Sequence, residues 1–302
     1  MTVSVLLGWS IATSVAQSQS SGDSWAFRGD FQGLFSSFSN SLQRESLQNY
    51  GLFIRADYLD RGGLTVGYNR TVLKFVSEDA NIDQDNIFLS GRWNLTPDWA
   101  QGRITLRLDS HMISNNDASN ETDDVRTVAP QISFLNYGQT FYADIGYSAS
   151  SYGDSLVTGE SLDVDQITPT IGFAFNDQQD WLQLRAYLIE PSNIERAQNQ
   201  NDTAALEIKW THWPVAGSFL RLDNLRLSAL FGERLYAVDS DAGGSYNLVD
   251  MQTGGVSIGG EWALSDSNRL LLLLGTEQYE NRTINEDYRN TFMYLNFTHL
   301  WE

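Results

Sequence analysis

Thr291-Phe292-Met293-Tyr294-Leu295-Asn296-Phe297-Thr298-His299-Leu300-Trp301 alternates along its length. Extended, it places Met293, Leu295, Phe297, His299 and Trp301 on one side and Tyr294, Asn296, Thr298 and Leu300 on the other, because successive side chains of a strand point to opposite faces. Comparable segments, each with an apolar and a polar face, recur through the 302 residues. Any half-buried sheet alternates in this way. What decides the fold is how the segments are joined, since their connections alternate between short and long. The short ones carry turn chemistry: Asp60-Arg61-Gly62-Gly63, Asn136-Tyr137-Gly138-Gln139, Asn176-Asp177-Gln178-Gln179 and Ser265-Asp266-Ser267-Asn268. One is longer than the pattern wants, after Trp210 through Pro214 and Gly217.

Fourteen strands are expected, over 24–35, 48–59, 64–76, 86–95, 102–113, 125–135, 140–150, 163–175, 181–190, 203–212, 223–236, 252–264, 269–279 and 290–301. An even count puts both termini on one side. The pattern predicts an all-β chain, a closed antiparallel transmembrane β-barrel with short periplasmic turns and longer acidic extracellular loops. The implied location is the outer membrane of a Gram-negative bacterium.

Composition agrees. No apolar run approaches the roughly 20 residues of a membrane helix, and a mean hydropathy of −0.32 suits strands that show one face to water. There is no cysteine, which excludes disulfides and thiolate metal sites. Val3 to Ala12 is mostly apolar and Ser14-Val15-Ala16 offers small residues for cleavage. Residues 1–16 are therefore expected to be a signal peptide, although no Lys or Arg precedes the apolar run, and 17–302 a single barrel domain. About eight residues (Gln17 to Ser24) would then precede the first strand, too few for a plug. The formal charge of −19 argues against nucleic acid as a partner.

Two features orient the barrel. Acid gathers in the expected outer loops: Glu78, Asp79, Asp83 and Asp85; Asp117, Glu121, Asp123 and Asp124; Asp154 and Glu160; Asp239, Asp241 and Asp250; Glu286 and Asp287. Trp25, Trp93, Trp99, Trp181, Trp210, Trp213, Trp262 and Trp301 gather at the other end, where indoles would sit at the headgroup boundary of outer-membrane lipid.

Period two assigns the lipid face to rows such as Leu52-Ile54-Ala56-Tyr58 and Ile87-Leu89-Gly91-Trp93. The other face carries Arg28, Asp30, Arg55, Asp57, Arg92, Arg107, Asp109, Asp144, Arg185, Glu207, Lys209, Arg226, Glu261 and Glu277, the expected pore lining. Arg70 and Lys74 break the register and should lie above the membrane or beside a bulge. The mixed lining reads as a wet, charge-selecting pore or as a filled lumen. Side chains alone fill a barrel well only near eight strands, which favours water. No outer loop is long enough to fold deep inside, so narrowing should come from the strands.

Catalytic residues, cofactors and metals are not expected. His111 faces the lumen near the outer rim, followed by Ser114, but a separation of three puts them on opposite faces. Asp239-Ser240-Asp241 has only a faint calcium-loop spacing and reads as a solvated acidic loop.

The strand closed by Trp301 resembles the signal read by the barrel-assembly machinery, departing from it in the following Glu302. The chain resembles the porin-like outer-membrane barrels. That resemblance implies a channel for passive diffusion of small hydrophilic solutes, and the acidic loops imply a mild cation preference. The alternatives are an export or scaffold barrel working with a periplasmic partner, as in polysaccharide secretion or an electron-carrier sheath, and an outer-membrane lipid hydrolase.

Overall fold

A computed structural model describes residues 25–77, 81–214, 222–239, 244–245 and 250–301. The expected signal peptide, Glu78, Asp79 and Asp241 lie outside the described residues.

Fourteen strands close into one antiparallel barrel. They are β1 (Trp25–Ser39), β2 (Arg44–Tyr58), β3 (Gly62–Phe75), β4 (Ile82–Leu95), β5 (Gly102–Asn115), β6 (Val125–Asn136), β7 (Phe141–Tyr152), β8 (Leu162–Phe175), β9 (Asp180–Pro191), β10 (Thr203–His212), β11 (Leu222–Arg234), β14 (Met251–Ala263), β15 (Asn268–Asn281) and β16 (Glu286–Trp301). Each of the fourteen expected segments is found, with ends moved by a few residues. Two short strands, β12 (Val238–Asp239) and β13 (Gly244–Ser245), pair only with each other inside the β11–β14 connection.

Closure comes from β1 and β16, in register from Phe27 opposite Trp301 to Ser39 opposite Arg289. It removes the unpaired edge that no strand can present to lipid. The Trp301 indole lies over Gly29, where a Cβ would come within 2.6 Å of the ring. The last aromatic thus covers a gap in the first strand.

Leu64, Val66, Ile87, Leu89, Leu106, Leu108, Ile145 and Ile171 are exposed on the outer wall. A continuous belt of this kind would aggregate in water and belongs against acyl chains. Trp25, Trp93, Trp99 and Trp301 are exposed at its periplasmic edge, while Trp210, Trp213 and Trp262 are half-buried there. Trp181 corrects the expectation. It is only 3% exposed and turns into the lumen over Gly172. Its odd position in β9 opposes the outward row Leu182, Leu184, Ala186 and Leu188, so parity overrides its place near the strand end. The opposite edge is marked by tyrosines: the hydroxyls of Tyr50, Tyr68 and Tyr147 donate to Gln48, Asp85 and Asp165. Arg70 belongs to that boundary, pairing outward with Asp83 at 2.8 Å and Asp85 at 3.4 Å. Lys74 sits beside a bulge between Arg44 and Ser46.

Candidate functional site in the barrel lumen

All fourteen residues expected to line a pore face the lumen, but they divide into two environments. One, at the periplasmic end of the wall formed by β1, β2, β4 and β5, is ionic and reachable by water. Arg28-Gly29-Asp30, Arg55-Ala56-Asp57 and Arg107-Leu108-Asp109 repeat one motif. Residues two apart on a strand share a face, so each guanidinium lies beside its own carboxylate. The contacts are Arg28 Nη2–Asp30 at 2.7 Å, Arg55 Nε–Asp57 at 3.1 Å and Arg107 Nε–Asp109 at 2.8 Å.

The pairing is needed because Arg28 stands directly opposite Arg55, and Arg92 opposite Arg107. Like charges facing across a ladder repel. Asp57 relieves both neighbourhoods by also accepting from Arg92 at 2.6 Å. On the facing wall Arg226 pairs with Glu261, and Arg269 with Asp223 and Glu261. The side chains of Arg28, Arg92 and Asp57 keep 34%, 27% and 27% of their surface exposed, which makes this side a vestibule.

The other environment is dry, and along β7, β9 and β10 it reaches almost to the periplasmic end. Asp30, Asp109, Asp144, Arg185, Glu207, Lys209 and Glu277 are buried, although Lys209 lies only three residues from the periplasmic end of β10, as Arg28 does from that of β1. Lys209 pairs with Glu207 at 3.0 Å, and the Tyr187 hydroxyl donates to the same carboxylate at 3.0 Å. Glu277 accepts from Asn290 and Tyr279. Two apolar clusters fill the remainder. Leu34, Leu47, Leu73, Tyr288 and Phe292 belong to one, and Ile113, Val125, Tyr152, Leu162 and Tyr236 to the other.

The expectation that no outer loop enters the lumen is overturned. The segment between β11 and β14 turns inward, and Tyr236, Ala237, Val238 and Asp239 are buried. The Tyr236 hydroxyl donates to the Arg196 carbonyl at 2.8 Å. Gln166 of β8 clamps Val238, its amide donating to the carbonyl at 2.7 Å and its oxygen accepting the N–H at 2.9 Å. Asp239 meets Arg185 of β9 at 3.4 Å. The segment returns to β14 through Asp250, which pairs with Arg44 and accepts from Asn281 and Tyr288, both at 2.6 Å. Anchors on β8 and β9 hold Val238 and Asp239 inside the lumen, and anchors on β2, β15 and β16 hold Asp250 there. Asp239 is therefore buried and paired, not the solvated acid expected of that loop.

Arg196 locks the cap above. It is 4% exposed and donates to the carbonyls of Gly153, Glu160 and Glu121, all at 2.8 Å. Beside it, burial works to raise the Asp117 carboxyl, but hydrogen bonds from Ser119 and Thr122 outweigh burial and hold it below the ordinary 3.8. Burial pushes the Glu121 carboxyl up, aided by Asp117 and opposed by Arg196.

His111 is fully buried against Phe88, with ring centroids 4.9 Å apart, while Ser114 is exposed on the other face. The pair cannot act as nucleophile and base across the wall. His212 and His299 lie toward lipid at the periplasmic edge, bonded to Asp180 and Asn268, each at 2.9 Å.

Solved structures share the architecture. The CymD monoaromatic hydrocarbon channel aligns with a TM-score of 0.59 at 9% identity, over 92% of this chain and 89% of that one. The Pseudomonas putida toluene transporter TodX aligns at 0.54 and 9%, over 92% and 90%. The Acinetobacter baumannii outer-membrane protein Omp33 aligns at 0.49 and 7%, over 92% and all of that chain. The chain has the fold of an outer-membrane β-barrel. No protein-family model and no curated protein sequence matches it.

Proposed function

We propose that the chain is an outer-membrane channel for small hydrophilic solutes, mildly cation-selective, held closed in this conformation by residues 235–239 and Asp250. The observation that carries this reading is the division of the lumen. A lumen serving only as packed core would be dry throughout, whereas here partly exposed guanidiniums and carboxylates line the periplasmic end of the β1, β2 and β4 wall. Desolvating ions without need is costly, so a wet ionic vestibule suits solute passage. The toluene and hydrocarbon cargoes in the names of TodX and CymD do not suit it. The acidic outer loops would gather cations at the mouth by focusing the field.

The test is conductance in a planar bilayer. Wild-type protein should open rarely, and a variant with residues 237–249 replaced by a short Gly-Ser turn should conduct steadily. A folded variant silent at every voltage defeats the channel reading. It would favour a scaffold barrel serving a periplasmic partner, the reading that the sealed outer half supports in its own right.

A further inference from the structure

The outer wall carries a hollow of about 590 Å³ spanning β1 to β5 at the periplasmic edge of the apolar belt. Volumes of roughly 300–1,000 Å³ are typical of small-molecule sites. Its floor lies at Gly91, with Leu64 and Leu108 paired directly to that glycine on either side. Trp25 and Tyr58, with ring centroids 5.1 Å apart, bound it on one flank and Trp93 on the other.

Gly91 differs from three other lipid-facing glycines. Gly29 is covered by Trp301, Gly33 by Phe35, and Gly260 by Leu222 and Trp262, and each covering side chain comes within 3.3 Å of where a Cβ would stand. At Gly91 a Cβ would meet only Leu64, at 3.7 Å, an ordinary contact. Packing does not require glycine there, and glycine within a strand costs stability. The space is left open to the bilayer. At its periplasmic end stands Arg61, exposed in the β2–β3 turn, whose side chain has no carboxylate partner among the described residues.

We propose that this hollow binds one glycerophospholipid of the inner leaflet, with an acyl chain over Gly91 and the phosphate against Arg61. Aromatic walls and small residues suit a hydrocarbon chain. A planar guanidinium at headgroup depth suits a phosphate, which it can grip through two parallel hydrogen bonds. The site faces lipid and is separate from the lumen, so it stands whether or not the barrel conducts.

Native mass spectrometry of the purified barrel, titrated with phosphatidylglycerol and phosphatidylethanolamine, tests the proposal. Wild-type protein should keep one phospholipid after the bulk detergent is stripped. Gly91→Trp, which fills the hollow, and Arg61→Glu, which repels phosphate, should each weaken retention about tenfold, the scale of one lost charge-assisted hydrogen bond. Ile258→Trp, on the exposed wall of β14, should leave it unchanged. Heat-modifiable migration confirms that each variant is folded, and Gly91→Leu serves if tryptophan blocks assembly. Equal retention by wild type and the filled variant overturns the proposal. So does equal loss from Ile258→Trp, which would mark ordinary annular lipid.

Discussion

Arg28 and Asp30 on β1, and Lys209 and Glu207 on β10, are both ion pairs two residues apart on the inner face of a strand, each three and five residues from its periplasmic end. The first pair keeps 34% and 11% of its side chains exposed, the second 1% and 0%. Sequence pattern alone does not separate them. What separates them is whether chain folds over that part of the wall. The 235–239 segment reaches β8 and β9, and all five inward residues of β10 (Thr203, Ala205, Glu207, Lys209 and Thr211) are buried. The vestibule strands β1, β2, β4 and β5 keep their inward arginines partly open. An ionic face therefore predicts which way a side chain points, and a distant loop decides whether it is wet.

The contrast breaks most sharply at Arg196. Arg196→Met should remove three hydrogen bonds from a charged donor, each contributing roughly 1.5–3 kcal/mol, and leave three carbonyls to find water. Hydrogen exchange should rise strongly in residues 114–124, 153–161 and 235–239, while β1 to β5 stay protected below the vestibule. Uniform loosening of the whole barrel would show that the two environments are one cooperative unit. Gln166→Ala should have the same effect confined to 235–239, because it removes only the clamp on Val238.

That dependence on remote partners also explains what the sequence discloses. All fourteen strands were legible because period two and turn residues are local signals. So was the inward face, down to the Arg-x-Asp repeats. The inward loop was not. It has no periodicity, and its partners lie 40 residues away at Arg196, 54 at Arg185 and 72 at Gln166. Length alone made it look too short to enter. Trp181 was legible in principle, since the leucines beside it fix the parity of β9. The tyrosine boundary went unread, although Tyr50, Tyr68 and Tyr147 each fall on a lipid-facing row. The hollow at Gly91 was not legible, because an uncovered glycine and a covered one read alike.

A second test sharpens the contrast through charge. Replacing Asp30 and Asp57 with Asn and Glu261 with Gln leaves Arg28, Arg55, Arg92 and Arg226 without their closest counter-charges. In a loop-shortened conducting variant this should shift reversal potentials markedly toward anions. Neutralising Asp83 and Asp85 at the rim should shift them less, because 46% and 42% of those side chains are exposed to screening solvent. The rim effect should also fade with salt, since the Debye length falls from roughly 30 Å at 0.01 M to 3 Å at 1 M. Equal effects from rim and vestibule would mean that the narrowest charged point lies outside the barrel.

The smallest expected effect is the response of the cap to acid, and two neighbouring carboxyls set its sign. Glu121 has a raised folded value, so it binds a proton above its ordinary 4.5, and protonation there favours the folded cap as pH falls. Asp117 has a lowered folded value. Its hydrogen bonds from Ser119 and Thr122 contribute stability that is fully present above the ordinary 3.8 and is lost as pH falls through the depressed value. The cap should accordingly stay closed through pH 4.5 and loosen only below 3.8. Proteolysis of residues 114–124 in outer-membrane vesicles, followed across that range with an acid-active protease, should show the break. Asp117→Asn should start from weaker protection, because its amide nitrogen cannot accept from whichever of Ser119 and Thr122 it faces, and should lose the acid-dependent step, because an amide does not titrate. Glu121→Gln should leave the step in place. An acid step that persists in Asp117→Asn would assign it to a group elsewhere in the cap, and a wild-type step above about pH 5 would reverse the order argued for the two carboxyls.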